Sequence, residues 1–215
     1  MQTPPILFFK TFNTQEAVYQ RQLPSTGNTR SVTLSFRSFC PQDISFIHRW
    51  VNEPYAARFW QLKGSREDSL SVLFAETMRH PSRHILVGFY NGKPVCEVDI
   101  YQICCDELSR YIPGAAVSDC GIHFLMAPPR ETFKSLSVLM LLSFIDAYFS
   151  YPFAGDLYAE PDELNALANR LALKAGFSFI KKINLPDKMA NLYRIKRQEF
   201  LSQARLLSEI LHHTS

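Results

Sequence analysis

The residues of this chain best suited to chemistry are a mid-strand histidine, an acidic turn and a short cationic loop. His123 lies in Gly121-Ile122-His123-Phe124-Leu125, where alternation sets it with Gly121 and Leu125, opposite Ile122 and Phe124. Imidazole titrates near neutrality, so His123 can serve as general base or acid. The plainer reading is a packed strand histidine that satisfies a backbone group. Asp162 stands in Glu160-Pro161-Asp162-Glu163-Leu164-Asn165, at the apparent opening of a helix. There it can oppose the helix dipole, or it can line a site at the C-terminal edge of a strand.

The segment 126–135 links a strand to a helix, and backbone N–H groups at such a start can hold phosphate. Arg130, Lys134 and Ser135 could assist. The stretch 130–135 has no glycine, which restricts close approach of backbone to a phosphate group. Trp50, Phe59 and Trp60, with His48, form an aromatic cluster that is either core or a substrate wall. Glu97, Asp99 and Tyr101 share one face of an internal strand. Three polar groups there are costly to bury without partners, which favours a cleft-facing position.

The elements that must carry these residues follow from periodicity. Strands are expected over 6–9, 32–36, 84–90, 95–101, 120–126, 155–159, 177–183 and 192–196. Helices are expected from Pro41 to Pro54, and over 65–79, 134–149, 161–175 and 198–212. In the second of these, Ser65 and Asp68 read as a variant capping box, with Leu70, Leu73, Phe74 and Met78 on one face. Turn chemistry marks 24–28, and Asn91-Gly92 is a hairpin signal. Interleaved strands and helices imply an α/β protein with mixed pairing.

Composition narrows the function classes. A net charge of +3 without a dense basic stripe argues against nucleic acid as a partner. No basic n-region with an apolar run follows the N-terminus, and the apolar stretch 136–149 is too short to span a bilayer, so no membrane role is expected. The five cysteines (Cys40, Cys96, Cys104, Cys105 and Cys120) contain no C-x-x-C pair. They read as reduced thiols of a cytoplasmic protein, with no metal site.

Phe36-Arg37, His48-Arg49-Trp50 and Phe59-Trp60 together resemble the opening of the siderophore-biosynthesis GNAT acyltransferases, which acylate N-hydroxylysine or N-hydroxydiamines. The string from Asp119 through His123 to Pro129 is similar to that family's central motif. Ala159-Glu160-Pro161-Asp162, Asn165 and Lys174-Ala175-Gly176-Phe177 resemble its later one, and Pro186-Asp187-Lys188 with Leu192-Tyr193 its closing hairpin. The resemblance spans residues 32–200.

It implies a single GNAT domain over 1–215, with an N-terminal extension 1–30 and a C-terminal helix 198–212. The fold would be a central, mixed, splayed sheet flanked by helices, using acyl-coenzyme A (acetyl- or succinyl-CoA) as co-substrate. By the same analogy His123 and Asp162 form the catalytic pair. Leu125 and Met126 offer backbone groups to the pantetheine, Arg130, Lys134 and Ser135 face the pyrophosphate, and Asn165 approaches the cofactor. Trp60, Glu97 and Tyr101 stand on the substrate side. The implied reaction is direct transfer in a ternary complex. A hydroxylamine nitrogen attacks the thioester, His123 takes the proton, Asp162 orients His123 or binds the hydroxylamine, and an N–H near Met126 stabilises the oxyanion. The implied partners are a small hydroxylated amine and a siderophore synthetase, with a homodimer contact as one reading of the last helix. Two rivals are an aminoglycoside or other amine N-acetyltransferase, drawing on Glu97, Asp99 and Asp106, and a degenerate, non-catalytic GNAT module.

Overall fold

The computed structural model describes residues 7, 16–23, 31–60, 62 and 64–202. The strand expected over 6–9 (apart from Leu7), the turn at 24–28 and residues 203–212 of the last helix lie outside the described residues. Among the described residues, eight strands hydrogen-bond into one mixed sheet in the order β1 (Ala17–Leu23), β2 (Val32–Ser38), β3 (Arg83–Tyr90), β4 (Lys93–Gln102), β5 (Cys120–Met126), β6 (Leu157–Ala159), β8 (Met189–Ile195), β7 (Ser178–Asn184). The chain divides into two compact units, with β4 and β5 contributing residues to each.

The first unit holds Val32–Ile100 and Phe124–Phe133 together with β1. β1 (Ala17–Leu23) pairs antiparallel with β2 (Val32–Ser38), and β2 pairs antiparallel with β3 (Arg83–Tyr90). The sequence pattern did not show β1, whose residues alternate only weakly between buried and exposed. β3 and β4 (Lys93–Gln102) are joined at Asn91 (φ 49°) and Gly92 (φ 75°). Two successive left-handed residues are what a tight hairpin turn demands. The Asn91 side chain fastens this turn by accepting the Thr33 N–H at 2.8 Å.

α1 (Ile44–Val51) buries Ile44, Ile47, Trp50 and Val51, and α2 (Pro54–Ala57) follows the break at Pro54. α3 (Glu67–Arg79) buries Leu70 and Phe74 against that core. Two details of α3 depart from expectation. Its N-cap is Arg66 with no side-chain cap, so Ser65 and Asp68 do not form a capping box there. Leu73 is exposed rather than part of the buried face.

The second unit holds Tyr101–His123 and the chain from Lys134 onward. β5 (Cys120–Met126) pairs parallel with β6 (Leu157–Ala159). β6 pairs antiparallel with β8 (Met189–Ile195), and β8 with β7 (Ser178–Asn184). α4 (Leu136–Ser150) is buried on nearly every side, from Leu136 to Phe149. That burial explains its near-continuous apolar sequence. α5 runs Ala166–Lys174 and ends at Gly176, whose φ of 92° suits a C′ glycine. α6 begins at Arg197 and is described to Ser202.

α5 starts five residues later than Pro161, where a helix was expected. Residues 162–165 form a separate turn, because Glu163 donates its N–H to Met189 O (2.9 Å) and Asn191 donates to Pro161 O (3.0 Å). β8 thus takes this segment's backbone groups, and the helix begins only after Asn165 caps it.

α4 shows how the glycine-free loop is accommodated. Its N-cap, Ser135, takes the left-handed conformation (φ 73°, ψ −4°). For an L-residue this costs about 1–2 kcal/mol. Ser135→Gly is therefore expected to be neutral or stabilising, and Ser135→Val to lose about 1–3 kcal/mol, in thermal denaturation. A clear loss in Ser135→Gly would show that the serine side chain, not the backbone shape, is what matters.

Candidate active site

The parallel register of β5 and β6 builds the site. Ile122 pairs with Ala159, so the residues that follow, His123 in β5 and Glu160 just past the end of β6, come to the same level. His123 Nε2 lies 2.8 Å from Glu160 Oε1. Glu160 is almost fully buried, while the His123 side chain is about one-third exposed (38%). The other carboxylate oxygen, Oε2, accepts the Tyr101 hydroxyl at 2.9 Å. Lys188 Nζ, in the turn between β7 and β8, stands 3.9 Å from Oε1.

Burial alone would push the Glu160 carboxyl up. The His123 charge and hydrogen bond, Lys188 and the Tyr101 hydroxyl outweigh it and hold the group below the usual glutamate range. Glu160 is therefore a carboxylate at neutral pH. With Nε2–H donated to it, neutral His123 has its basic nitrogen at Nδ1, and a protonated ring is stabilised by the adjacent negative charge. That arrangement can take up a proton from a reacting group.

Gly121 makes room for this cluster. It lies two residues before His123, on the same strand face. A Cβ at Gly121 would stand 2.3–2.5 Å from the ring and hydroxyl of Tyr101. Tyr101 fills that space beside His123, with ring centroids 5.1 Å apart. Only glycine leaves the volume that lets Tyr101 reach Glu160.

The structure thus joins two of the sequence candidates, His123 and Tyr101, through Glu160 and Lys188, two motif residues without a role on sequence grounds. The acid against His123 Nε2 is Glu160. Asp162 turns its Oδ1 to the Leu164 N–H (2.7 Å), and its backbone bridges to Ala190. Asn165 caps α5 by accepting from the Ala168 N–H at 3.1 Å. Asp162 and Asn165 therefore share the turn just beyond Glu160. A signal for Glu160 was present in the sequence: it directly follows the strand expected over 155–159.

Lys134 is exposed, and Ser135 caps the 15-residue α4, whose first turn has N–H groups without intrahelical acceptors. A cation beside such a helix start suits an anionic group such as phosphate.

The remaining candidates belong to the first unit. The Met126 carbonyl accepts the Tyr55 hydroxyl at 2.5 Å, and Leu125 is buried. Arg130 is exposed and pairs with Glu53 at 2.5 Å. Trp60 packs against the core around Trp50 and Phe74, which Trp50 itself enters fully. Glu97 is buried, and Asp99 pairs with Arg83 at 3.6 Å, so this strand face is more enclosed than a cleft-lining reading supposes.

All five cysteines carry free thiols. Burial pushes the Cys120 thiol up to about 12, which leaves no thiolate for covalent catalysis at neutral pH. Among the described residues, no helix is long and apolar enough to cross a membrane.

Residues 40–185 match the family described as acetyltransferase (GNAT) domain. The chain is 28% identical over 166 residues to an N-hydroxyputrescine acetyltransferase of Acinetobacter baumannii, covering 76% of this chain and 77% of that protein. It is 26% identical over 196 residues to an N(6)-hydroxylysine O-acetyltransferase of Escherichia coli, covering 89% of this chain and 60% of that longer protein. A lysine N-acyltransferase, MbtK, of a Mycobacterium species is 26% identical over 157 residues, 72% of this chain and 63% of that protein. Among solved structures, an uncharacterised Bacillus halodurans protein superposes with a TM-score of 0.77 at 24% identity, covering 90% of this chain and 97% of that one. An aminoglycoside acetyltransferase, AAC(6')-Ib, solved with coenzyme A and kanamycin, gives a TM-score of 0.69 at 19% identity, over 79% of this chain and 98% of that one.

Proposed function

The chain belongs to the GNAT acetyltransferase family, and we propose that it transfers an acyl group from acyl-CoA to an N-hydroxylated amine, forming a hydroxamate for siderophore biosynthesis. That it is an acyltransferase enzyme follows from the family and from the named relatives. The substrate class rests chiefly on one observation: two relatives, aligned over 76% and 89% of this chain, are named for hydroxylated amines. The amine is N-hydroxylysine or an N-hydroxydiamine, and the acyl group is acetyl or succinyl. The hydroxamate would pass to a siderophore synthetase.

Acyl-CoA supplies the thioester. His123 Nδ1 accepts the proton that the amine nitrogen loses as the new N–C bond forms, and then returns it to the leaving thiolate sulfur. Glu160 holds the ring in the needed tautomer and offsets the imidazolium charge, and Tyr101 and Lys188 hold Glu160. Asp162, in the adjoining turn, is assigned to binding the hydroxylamine, and Asn165 to the cofactor side. Lys134 and the start of α4 would hold part of the pyrophosphate. Trp60 remains a substrate-side assignment, Arg130 a second pyrophosphate contact, and Leu125 and Met126 pantetheine contacts, whereas the burial of Glu97 takes it off the substrate side. A hydroxylamine needs little deprotonation before attack, so one modest base suffices.

The test compares steady-state acyl transfer to N-hydroxylysine, N-hydroxyputrescine and their unhydroxylated parents, with acetyl-CoA and succinyl-CoA. The expected result is kcat/KM at least about tenfold higher on a hydroxylated amine, the discrimination one well-placed hydrogen bond can give. Equal or better turnover on plain amines or aminoglycosides would replace this reading with a general amine N-acetyltransferase, a class whose solved members share the fold.

A further inference from the structure

We propose that Asn169, on α5, is the positioning residue that fixes the 162–165 turn for acyl transfer; this rests on the site reading above, in which Asp162 meets the amine. The Asn169 carboxamide is saturated. Its Nδ2 donates to the carbonyls of Asp162 (2.8 Å) and Asn165 (2.8 Å). Its Oδ1 accepts from Asn191 Nδ2 (2.7 Å) and from the Tyr193 hydroxyl (2.9 Å). Two donors and two lone pairs are the full capacity of an amide side chain.

Both donor bonds go to the turn, and both acceptor bonds come from β8. Asn169 therefore ties the backbone at each end of the turn to the strand beside it. The tie is reinforced by main-chain bonds from Asn191 to Pro161 O (3.0 Å) and from Glu163 to Met189 O (2.9 Å). The Glu160 carboxylate, by contrast, is held by Tyr101, His123 and Lys188. The Asn169 carboxamide thus acts on the 162–165 turn, and the Glu160 carboxylate on His123. Loss of Asn169 should move Asp162 and leave the proton-accepting pair in place.

Asn169→Asp isolates the donor half. A carboxylate can still accept from Asn191 and Tyr193, but it faces two carbonyls with no proton to give. The experiment measures kcat and KM for whichever amine the wild type turns over, so that a wrong substrate class is exposed by the wild type alone. The expected result is an amine KM raised about tenfold or more, the loss of one well-made polar contact, with kcat changed far less. Amide exchange should quicken at residues 163–166 and stay slow in β5, β6 and β8. A merely structural role would lower the active fraction, so that kcat falls at unchanged KM and exchange quickens across the strands. That outcome overturns the proposal, as does a KM within about twofold of wild type. If Asn169→Asp does not fold, Tyr193→Phe removes one of the four bonds and should raise the amine KM by roughly two- to fivefold. An unchanged KM in Tyr193→Phe alongside an unfolded Asn169→Asp also overturns it.

Discussion

Replacing His123 by alanine is expected to lower kcat for acyl transfer by about 10²- to 10⁴-fold, the range a positioned general base supplies. The imidazole is held by its Nε2 contact to a carboxylate that the surrounding residues keep ionised. Removing it takes away the proton acceptor and one partner of that buried charge together. A second variant separates the two effects. His123→Gln can still donate an amide N–H toward Glu160 but has no basic nitrogen. Its turnover should be as low as that of the alanine variant, with much of the lost thermal stability recovered. Near-normal hydroxamate formation by His123→Ala would remove the histidine from the mechanism. Recovery of turnover in His123→Gln would mean that the ring serves packing and charge rather than proton transfer.

The unequal legibility of this site in the sequence has a physical cause. β5 was readable to its last residue, because Cys120–Met126 combines an apolar run with a proline stop at 128–129. The Asn91-Gly92 turn was readable because two left-handed residues are needed there and those types supply them. These are local requirements, and local pattern reports them. The start of α5 was not readable. Residues from Pro161 onward look helical in composition, yet β8 captures the carbonyl of Pro161 and the N–H of Glu163. No window along the chain contains both partners.

Glu160 was overlooked for the same reason. Two acids in Glu160-Pro161-Asp162 compete for one role, and family likeness favoured the second. The choice depends on the register of β5 against β6, which sets Glu160 level with His123 and carries Asp162 two residues past it. Ser135 was a different kind of gap. The missing glycine was legible, but the backbone takes the left-handed shape regardless, with the strain borne by a serine.

The largest stability change is expected from Glu160→Gln. The substitution conserves volume but puts an uncharged amide among Tyr101, His123 and Lys188, all arranged to face negative charge. Removing one side of a buried charged cluster costs about 3–5 kcal/mol. For a chain of this size that corresponds to a Tm lower by roughly 10 °C at pH 7. The pH dependence identifies the cause. The folded-state pKa of Glu160 is depressed, so its contribution is fully present above the ordinary glutamate value of 4.5 and declines as pH falls toward and through the folded value. The stability gap between wild type and Glu160→Gln should thus shrink as pH falls below about 4.5. A gap independent of pH would show that packing, not charge, holds the cluster. Turnover should also fall by about 10²-fold, because the ring tautomer is then no longer fixed and the imidazolium no longer offset. A variant that loses stability but keeps turnover would separate the two roles, leaving Glu160 as a strut beneath Tyr101 and His123 acting alone.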